Sequence, residues 1–119
     1  MRDFRSLDVW HKAHQLVLEI YKRTETFPKA EVYGLTSQVR RAAVSIPTNI
    51  SEGCGRGTKA ELGQFMQIAM GSASELEYEL LLANDLGWIK PGNYPQINER
   101  VQEVKRMLAT YISKIRASR

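Results

Sequence analysis

The sequence contains very little cysteine and no long apolar run, and each absence excludes a class of protein. Cys54 is the single cysteine among 119 residues, which excludes a disulfide scaffold and a cysteine-rich zinc module. Without an uncharged apolar stretch, no transmembrane helix and no membrane partner are expected, and the charged start lacks the apolar core of a signal peptide. These absences predict a soluble cytoplasmic protein. The length suits a single domain over residues 1–119.

Helical periodicity runs through most of the chain. Apolar residues recur at steps of three and four in four segments, and no segment keeps the period of two that indicates a strand. The segments run from about residue 7 to 27, 34 to 54, 58 to 86, and 93 to the C-terminus. Thr58 and Glu61 have the spacing of a capping box that starts the third helix. The pattern predicts an all-α fold, an antiparallel up-down four-helix bundle.

In the first and third segments, the apolar pattern predicts which face of the helix packs against other helices. The first helix has one apolar face, formed by Trp10, Ala13, Val17, Ile20, Thr24 and Phe27. The third helix has two neighbouring stripes, so it is expected to contact more than one helix. The inner stripe is Leu62, Met66, Ala69, Ala73, Leu76, Leu80 and Ala83, and the outer stripe is Phe65, Ile68, Ser72, Glu75, Glu79, Leu82 and Leu86. Small residues at 71–74 predict a close approach of another backbone.

Pro47 interrupts the second segment. Inside a helix, proline removes one backbone hydrogen bond and clashes with the preceding turn, at a cost of about 3 kcal/mol. The segment is therefore either two short helices or one kinked helix. The apolar spacing through Ile46 and Ile50 stays in phase across the proline, which favours one helix kinked near Pro47.

The charge is distributed unevenly. Seventeen bases and 13 acids give a net charge of +4. Residues 58–89 carry one base and five acids, whereas residues 90–119 carry seven bases and two acids. The basic fourth helix indicates either a solvated surface with cations near a helix C-terminus or contact with nucleic acid.

Glu75 and Glu79 lie one turn apart on the largely apolar outer stripe, where like charges repel. Partly buried carboxylates need cations. Arg40 and Arg41 on the second helix are the candidate partners, in an ion-pair network between helices or between subunits.

The sequence gives little support for a catalytic site or a metal site. A di-iron bundle needs Glu-x-x-His on two helices, and Asp8-x-x-His11, at a helix start, is the nearest approach. Cys54 lies in a glycine-rich turn that is neither a Walker loop nor a dinucleotide fingerprint; it is either a small packing residue or a reactive thiol. No Ser-His-Asp set stands out, so we expect no enzyme, no metal and no cofactor.

The segment GLTSQVRRAAVSIPTNISEG, residues 34–53, strongly resembles the signature of the 23S rRNA intervening-sequence protein family, also called four-helix bundle proteins. FRSLDVWHKA at residues 4–13 and GSASELEY at residues 71–78 resemble its N-terminus and third helix. The resemblance covers nearly the whole chain. It implies a bacterial protein that forms a ring-shaped homo-oligomer, a pentamer, with a second helix that runs through its proline. Pro47, Asn49, Glu52 and Gly53 are structural signature positions, and Asn49 and Glu52 are expected to satisfy backbone groups that the proline leaves unpaired.

The resemblance also implies candidate functions. A relative of the family, the accessory protein of diversity-generating retroelements, binds nucleic acid and a reverse transcriptase, while the role of most members is unknown. The first hypothesis is an oligomer that binds RNA or DNA phosphates without base specificity. The alternative is a scaffold for a protein partner, with charges that serve assembly. The residues expected to contact nucleic acid are Arg40, Arg41, Arg56, Lys105, Arg106 and Arg116.

Overall fold

The computed structural model describes residues 2–118, which form four α-helices and no strand. α1 spans Asp8–Thr24, α2 spans Leu35–Cys54, α3 spans Lys59–Asp85 and α4 spans Asn93–Ala117, with short 3-10 turns at Phe4–Ser6 and Lys29–Glu31. The predicted all-α four-helix fold is confirmed. Within the described range, no helix has both the length and the apolar character needed to cross a membrane.

The four helices form a closed bundle, in which α1 and α3 each pack against both α2 and α4. Because short connections join consecutive helices, neighbours run antiparallel. The bundle measures 45 × 24 × 19 Å, and its long axis agrees with the ~40 Å expected of a helix as long as α3. The starts of α1 and α3 and the ends of α2 and α4 lie together. We call this end, which contains Cys54, the Cys54 end.

The core is continuous along the bundle, and all seven residues of the inner stripe of α3 are buried. On α1 the buried face differs slightly from the predicted one. Val9 and Leu16 fill its centre, whereas Trp10 and Val17 are half-buried at its edge. The Phe4 ring lies 4.9 Å from the Trp10 ring, centroid to centroid. α1 packs on both α2 and α4, so its contact face is wider than one apolar series.

α2 continues through Pro47, as predicted. The side-chain amide of Asn49 donates to the Ser45 carbonyl at 2.8 Å and to the Ser45 hydroxyl at 2.9 Å, and the Ser51 hydroxyl donates to the Pro47 carbonyl at 2.8 Å. Asn49 therefore stabilises the turn that contains the proline, but the carbonyl that loses its helical donor at Pro47 is that of Ala43, so the expected role of Asn49 stays a prediction. Glu52 does not share that role, because its carboxylate accepts a hydrogen bond from Arg56 at 2.8 Å.

Two glycines have opposite surroundings. A Cβ on Gly53 would lie 2.9 Å from the Phe65 Cβ and 3.3 Å from the Leu62 carbonyl oxygen, so this glycine permits a close approach of α2 to α3. A Cβ on Gly71 would meet no described atom within 4 Å. Within the subunit, the close approach expected at residues 71–74 is therefore absent at Gly71, because this position faces outward on α3.

Candidate nucleic-acid interface

Lys105 and Arg106 are adjacent on α4, and both pair with carboxylates. Lys105 Nζ donates to Glu77 Oε1 of α3 at 2.7 Å, and Gln102 Nε2 donates to the other carboxylate oxygen at 2.6 Å. The hydrogen bonds from Lys105 and Gln102 lower the pKa of Glu77. Arg106 donates to Glu99 at 2.7 Å on the exposed surface. Lys105 therefore links two helices, whereas the exposed Arg106 remains accessible to another anion.

Arg40 is half-buried between α1 and α2. Its Nε donates to the Thr24 hydroxyl at 2.9 Å, and its guanidinium lies over the Tyr21 ring, 4.7 Å from the centroid. Thr24 is buried, and its own hydroxyl donates to the Ile20 carbonyl at 2.7 Å. Arg40 is thus part of the packing between these helices, and little of it is available to a phosphate.

Arg56 is anchored at the Cys54 end. Its guanidinium reaches Glu52 at 2.8 Å and Glu61 at 3.8 Å, and it lies 4.8 Å from the centroid of the Phe65 ring. It joins the end of α2 to the start of α3, where the Thr58 hydroxyl accepts from the Glu61 amide at 3.1 Å. Thr58 therefore caps the start of α3 as predicted, while the Glu61 carboxylate accepts from the Thr58 hydroxyl at 3.0 Å and not from the Thr58 amide that a complete capping box uses.

Arg41 and Arg116 are the two remaining predicted contacts, and both are exposed. Neither forms an ion pair with any residue between 2 and 118. Arg41 lies on α2 near the middle of the bundle, whereas Arg116 lies in the last turn of α4 at the Cys54 end. The structure therefore distributes the six predicted bases over several faces.

A basic cleft that the sequence analysis missed lies between the start of α1 and the second half of α4. It encloses about 430 Å³, and Arg106 and Lys114 contribute its cations. Tyr111 also lines it, and its hydroxyl accepts a hydrogen bond from Arg2 at 2.7 Å. We call it the α1/α4 cleft; it is lined by Ser6, Leu7, Asp8, Val9, Arg106, Met107, Thr110, Tyr111 and Lys114.

The α4 side of this cleft could have been predicted from the sequence. Arg106, Thr110 and Lys114 follow each other at intervals of four, which places them on one face of a helix. The contribution of residues 6–9 had no such signal, because it depends on how α1 is rotated against α4. Asp8 and Val9, in the first turn of α1, line the cleft, and helix N-termini favour anions.

Glu75 and Glu79 have very different environments. Glu75 is exposed, whereas Glu79 is buried and its Oε1 has no hydrogen-bond partner in the described chain. Burial and the nearby negative charge of Glu75 raise the pKa of Glu79 to about 7. Within one subunit, Arg40 and Arg41 form no ion pair with either carboxylate, so the expected network is absent between these helices. An intersubunit network stays a prediction.

Cys54 and His11, the residue types most typical of catalysis, have structural surroundings. Cys54 is buried, and burial raises the pKa of its thiol, which makes it a poor nucleophile. The His11 ring nitrogen Nε2 lies 2.7 Å from the Arg5 carbonyl oxygen. Across residues 2–118, no three His, Cys, Asp or Glu side chains come together as a metal site would require.

Comparisons with known proteins agree with this fold. The family model described as 23S rRNA-intervening sequence protein matches residues 5–110. A crystal structure of a protein of unknown function from the S23 ribosomal protein family of Bacteroides thetaiotaomicron VPI-5482 is 25% identical, with a TM-score of 0.80. The match covers 88% of this chain and 95% of that one. No curated protein matches. The chain belongs to the 23S rRNA-intervening sequence protein family.

Proposed function

We propose that the chain is a non-catalytic, homo-oligomeric protein that binds RNA or DNA through backbone phosphates without reading base sequence. The α1/α4 cleft is the observation that carries this proposal. It combines Arg106 and Lys114 with the N-terminal turn of α1, and Arg2 adjoins it through Tyr111. Cations, an aromatic hydroxyl and helix N–H groups all favour phosphate oxygens.

Two further features support phosphate binding at this end of the molecule. Arg116 lies in the last turn of α4, beyond Lys114, and has no carboxylate partner among residues 2–118. The Arg106 pair with Glu99 is exposed, and exposed ion pairs contribute at most about 1 kcal/mol. A phosphate can therefore replace Glu99 as the partner of Arg106 at little cost.

Assembly into an oligomer would strengthen the binding of nucleic acid by this weakly basic surface. Each copy has a net charge of +4, and the family resemblance implies a pentameric ring. Repeating the cleft around a ring raises the local potential and allows several weak contacts to act on one strand. Affinity for a long polynucleotide should then exceed the affinity for a short oligonucleotide.

The proposal is tested by measuring binding of labelled single-stranded and duplex RNA and DNA by fluorescence anisotropy across salt concentrations. We expect the logarithm of the affinity to fall linearly with the logarithm of salt concentration. Lys114→Gln and Arg116→Gln should each lower the slope by about 1, equally for all base sequences. Lys90→Gln, in the connection that precedes the other end of α4, is the matched control. Affinity that does not change between about 50 and 200 mM salt contradicts phosphate binding.

A protein scaffold is the second candidate, and a specific observation favours it. Arg40, Arg56 and Lys105, three of the six bases expected to bind nucleic acid, are held by contacts within the subunit. Bases that are held in this way stabilise the fold and are less available to a nucleic acid. Recovery of a defined protein partner from the native host, in an amount that nuclease treatment does not change, would support the scaffold over the nucleic-acid binder.

A further inference from the structure

A second cleft lies at the end of the bundle opposite the Cys54 end, between the last turns of α1 and the connection from α3 to α4. It encloses about 320 Å³, a volume at the lower end of those that hold small organic molecules in proteins. We call it the Lys90 cleft, after the exposed lysine of that connection that lines it. None of the six bases predicted to bind nucleic acid lines it, so the proposed function leaves this cleft without a role.

The inner wall of the Lys90 cleft is apolar. Ile20 of α1, Leu80 of α3 and Ile97 of α4 line it, and each is at most 3% exposed. Phe27 is also buried and lies against Trp88, with 5.9 Å between the ring centroids. Three helices and the residue pair Phe27–Trp88 thus build a wall of hydrocarbon, which favours a ligand with an apolar body.

The hydroxyl groups of the cleft are already engaged. The Thr24 hydroxyl donates to the Ile20 carbonyl at 2.7 Å and accepts from Arg40, and the Thr26 hydroxyl donates to the Arg23 carbonyl at 3.3 Å. A sugar or a nucleobase would therefore find few free hydrogen-bond partners here, and polar groups that lose water without gaining a partner are costly. The cleft favours a hydrocarbon body over a polar one.

The charged residues of the cleft favour an anion. Three bases and one acid line it, Lys22, Arg23, Lys90 and Glu19, which leaves a net charge of +2. Arg23 donates to Glu19 at 3.0 Å, and this hydrogen bond lowers the pKa of Glu19. Lys22 and Lys90 are exposed and form no ion pair with any residue between 2 and 118. The acid is therefore neutralised by Arg23, and two lysines remain for an anionic group.

The start of α4 adds to the attraction for an anion. Its first residue, Asn93, lines the cleft, and no side chain of residues 2–118 caps this helix. Helix N-termini favour anions. Arg23 also donates to the Asn93 carbonyl at 3.4 Å and to Gln96 Oε1 at 3.3 Å, so α1 and α4 are already joined at the cleft. A ligand would meet a site that is formed before it binds, which reduces the cost of binding.

We propose that the Lys90 cleft binds a small amphipathic anion, a medium-chain carboxylate of the fatty-acid type. Its hydrocarbon chain packs on Ile20, Leu80 and Ile97, and its carboxylate pairs with Lys22 and Lys90. The chemistry of the cleft selects this class, because hydrocarbon contact is available inside and unpaired lysines are available at the surface. The site goes beyond the proposed nucleic-acid function and does not depend on it.

Titration calorimetry of the full-length chain with octanoate tests the proposal. We expect saturation with one octanoate per chain. Each CH₂ group removed from the ligand should weaken binding by up to about fourfold, so hexanoate should bind more weakly and decanoate more tightly. Octan-1-ol has the same chain without the charge and should bind about tenfold more weakly than octanoate. Acetate, which has the charge without the chain, should give no measurable binding.

Variants of the two lysines locate the site. Lys22→Gln and Lys90→Gln should each weaken octanoate binding about threefold, and the double variant about tenfold, while binding of octan-1-ol stays unchanged. Lys114→Gln, which removes the same charge from the α1/α4 cleft, is the matched control. Lys90→Gln and Lys114→Gln then form a reciprocal pair, because the first should weaken octanoate binding alone and the second nucleic-acid binding alone.

Three results would overturn the proposal. They are octan-1-ol that binds as tightly as octanoate, octanoate binding that neither Lys22→Gln nor Lys90→Gln weakens, and a loss of octanoate affinity in Lys114→Gln alone, which would place the anion in the α1/α4 cleft. Circular dichroism identifies any variant that does not fold, and Lys22→Met or Lys90→Met then replaces it with the same expected loss. Each result concerns octanoate, so nucleic-acid binding is judged separately by its own salt dependence.

Discussion

Lys105 of α4 and Glu77 of α3 form an ion pair of 2.7 Å that joins the basic helix to the acidic one. Gln102 donates to the same carboxylate at 2.6 Å. Part of the charge asymmetry between the two helices is therefore cancelled inside the subunit. The basic character of α4 that remains on the surface comes from Arg100, Arg106, Lys114 and Arg116.

Glu77→Gln should lower the free energy of unfolding at pH 7 by about 1 kcal/mol, because it removes a half-buried ion pair. The pKa of Glu77 is lowered in the folded chain, so the contribution of the pair is present above the ordinary glutamate pKa. It is lost as the pH falls through the lowered value. Urea unfolding at pH 7 and near pH 3 should show the difference between wild type and variant closing at the acid end.

Glu99→Gln is the matched control for Glu77→Gln, since its pair with Arg106 has the same length, 2.7 Å, but is exposed. Its effect on unfolding should be within about 0.5 kcal/mol of zero. Equal losses for Glu77→Gln and Glu99→Gln would contradict a special role for the contact between α3 and α4.

Glu79 should give the subunit a stability that falls as the pH rises. Its pKa is about 7 in the folded chain and close to 4.5 when unfolded, so the fold favours the protonated form. The contribution is complete below pH 4.5 and is lost as the pH rises through 7. A shift of this size corresponds to roughly 3 kcal/mol. Urea unfolding of wild type and Glu79→Gln at pH 5, 6.5 and 8 measures it.

The Glu79 measurement needs the lowest practical protein concentration, because a cation from a second copy would stabilise the ionised form and oppose the trend. Glu79→Gln keeps the shape of the side chain but does not titrate, so its stability should vary less over this range. Wild-type and variant curves that run parallel from pH 5 to 8 would contradict the assignment of the effect to Glu79.

Gly53→Ala and Gly71→Ala should change stability in opposite directions. At Gly53 a Cβ would meet the Phe65 Cβ at 2.9 Å, so α2 must move away from α3, at a cost of about 1–3 kcal/mol. At Gly71 the space is open within the subunit, and alanine in a helix interior gains up to about 1 kcal/mol over glycine. Thermal unfolding of both variants tests the pair; a gain at Gly53 would mean that α2 and α3 pack less closely.

The sequence predicted the helices well because their signals are local. Steps of three and four residues, the Thr58 cap and the continuous phase across Pro47 all report on one segment at a time. The site was less predictable, because it depends on how helices face each other. Lys105 and Arg106 are neighbours in sequence, yet one lies against α3 and the other on the surface. Nothing in the local pattern of residues 6–9 indicates that they line a cleft with α4.

Gly71 is a second example of a contact that the sequence pattern could not locate. Small residues at 71–74 indicate a close contact, but the pattern cannot say whether the contact lies within the subunit or outside it. In the structure, Ser72 contacts α2 through Ser45, whereas Gly71 is open. Pairing of Glu75 and Glu79 with arginine was likewise inferred from burial alone, and the single chain provides the burial of Glu79 without the cation.

Asp8→Asn should strengthen nucleic-acid binding if the α1/α4 cleft holds phosphate. Asp8 is the one acid that lines the cleft, opposite Arg106 and Lys114, and its charge repels a phosphate while it stabilises the start of α1. Removing that charge should raise affinity for a short single-stranded oligonucleotide several-fold at low salt and lower helix stability by about 0.5 kcal/mol. Anisotropy and urea unfolding measure the two effects. Asp85→Asn, just inside the end of α3, is the control; if it raises affinity equally, the gain reflects net charge and the cleft is not the binding site.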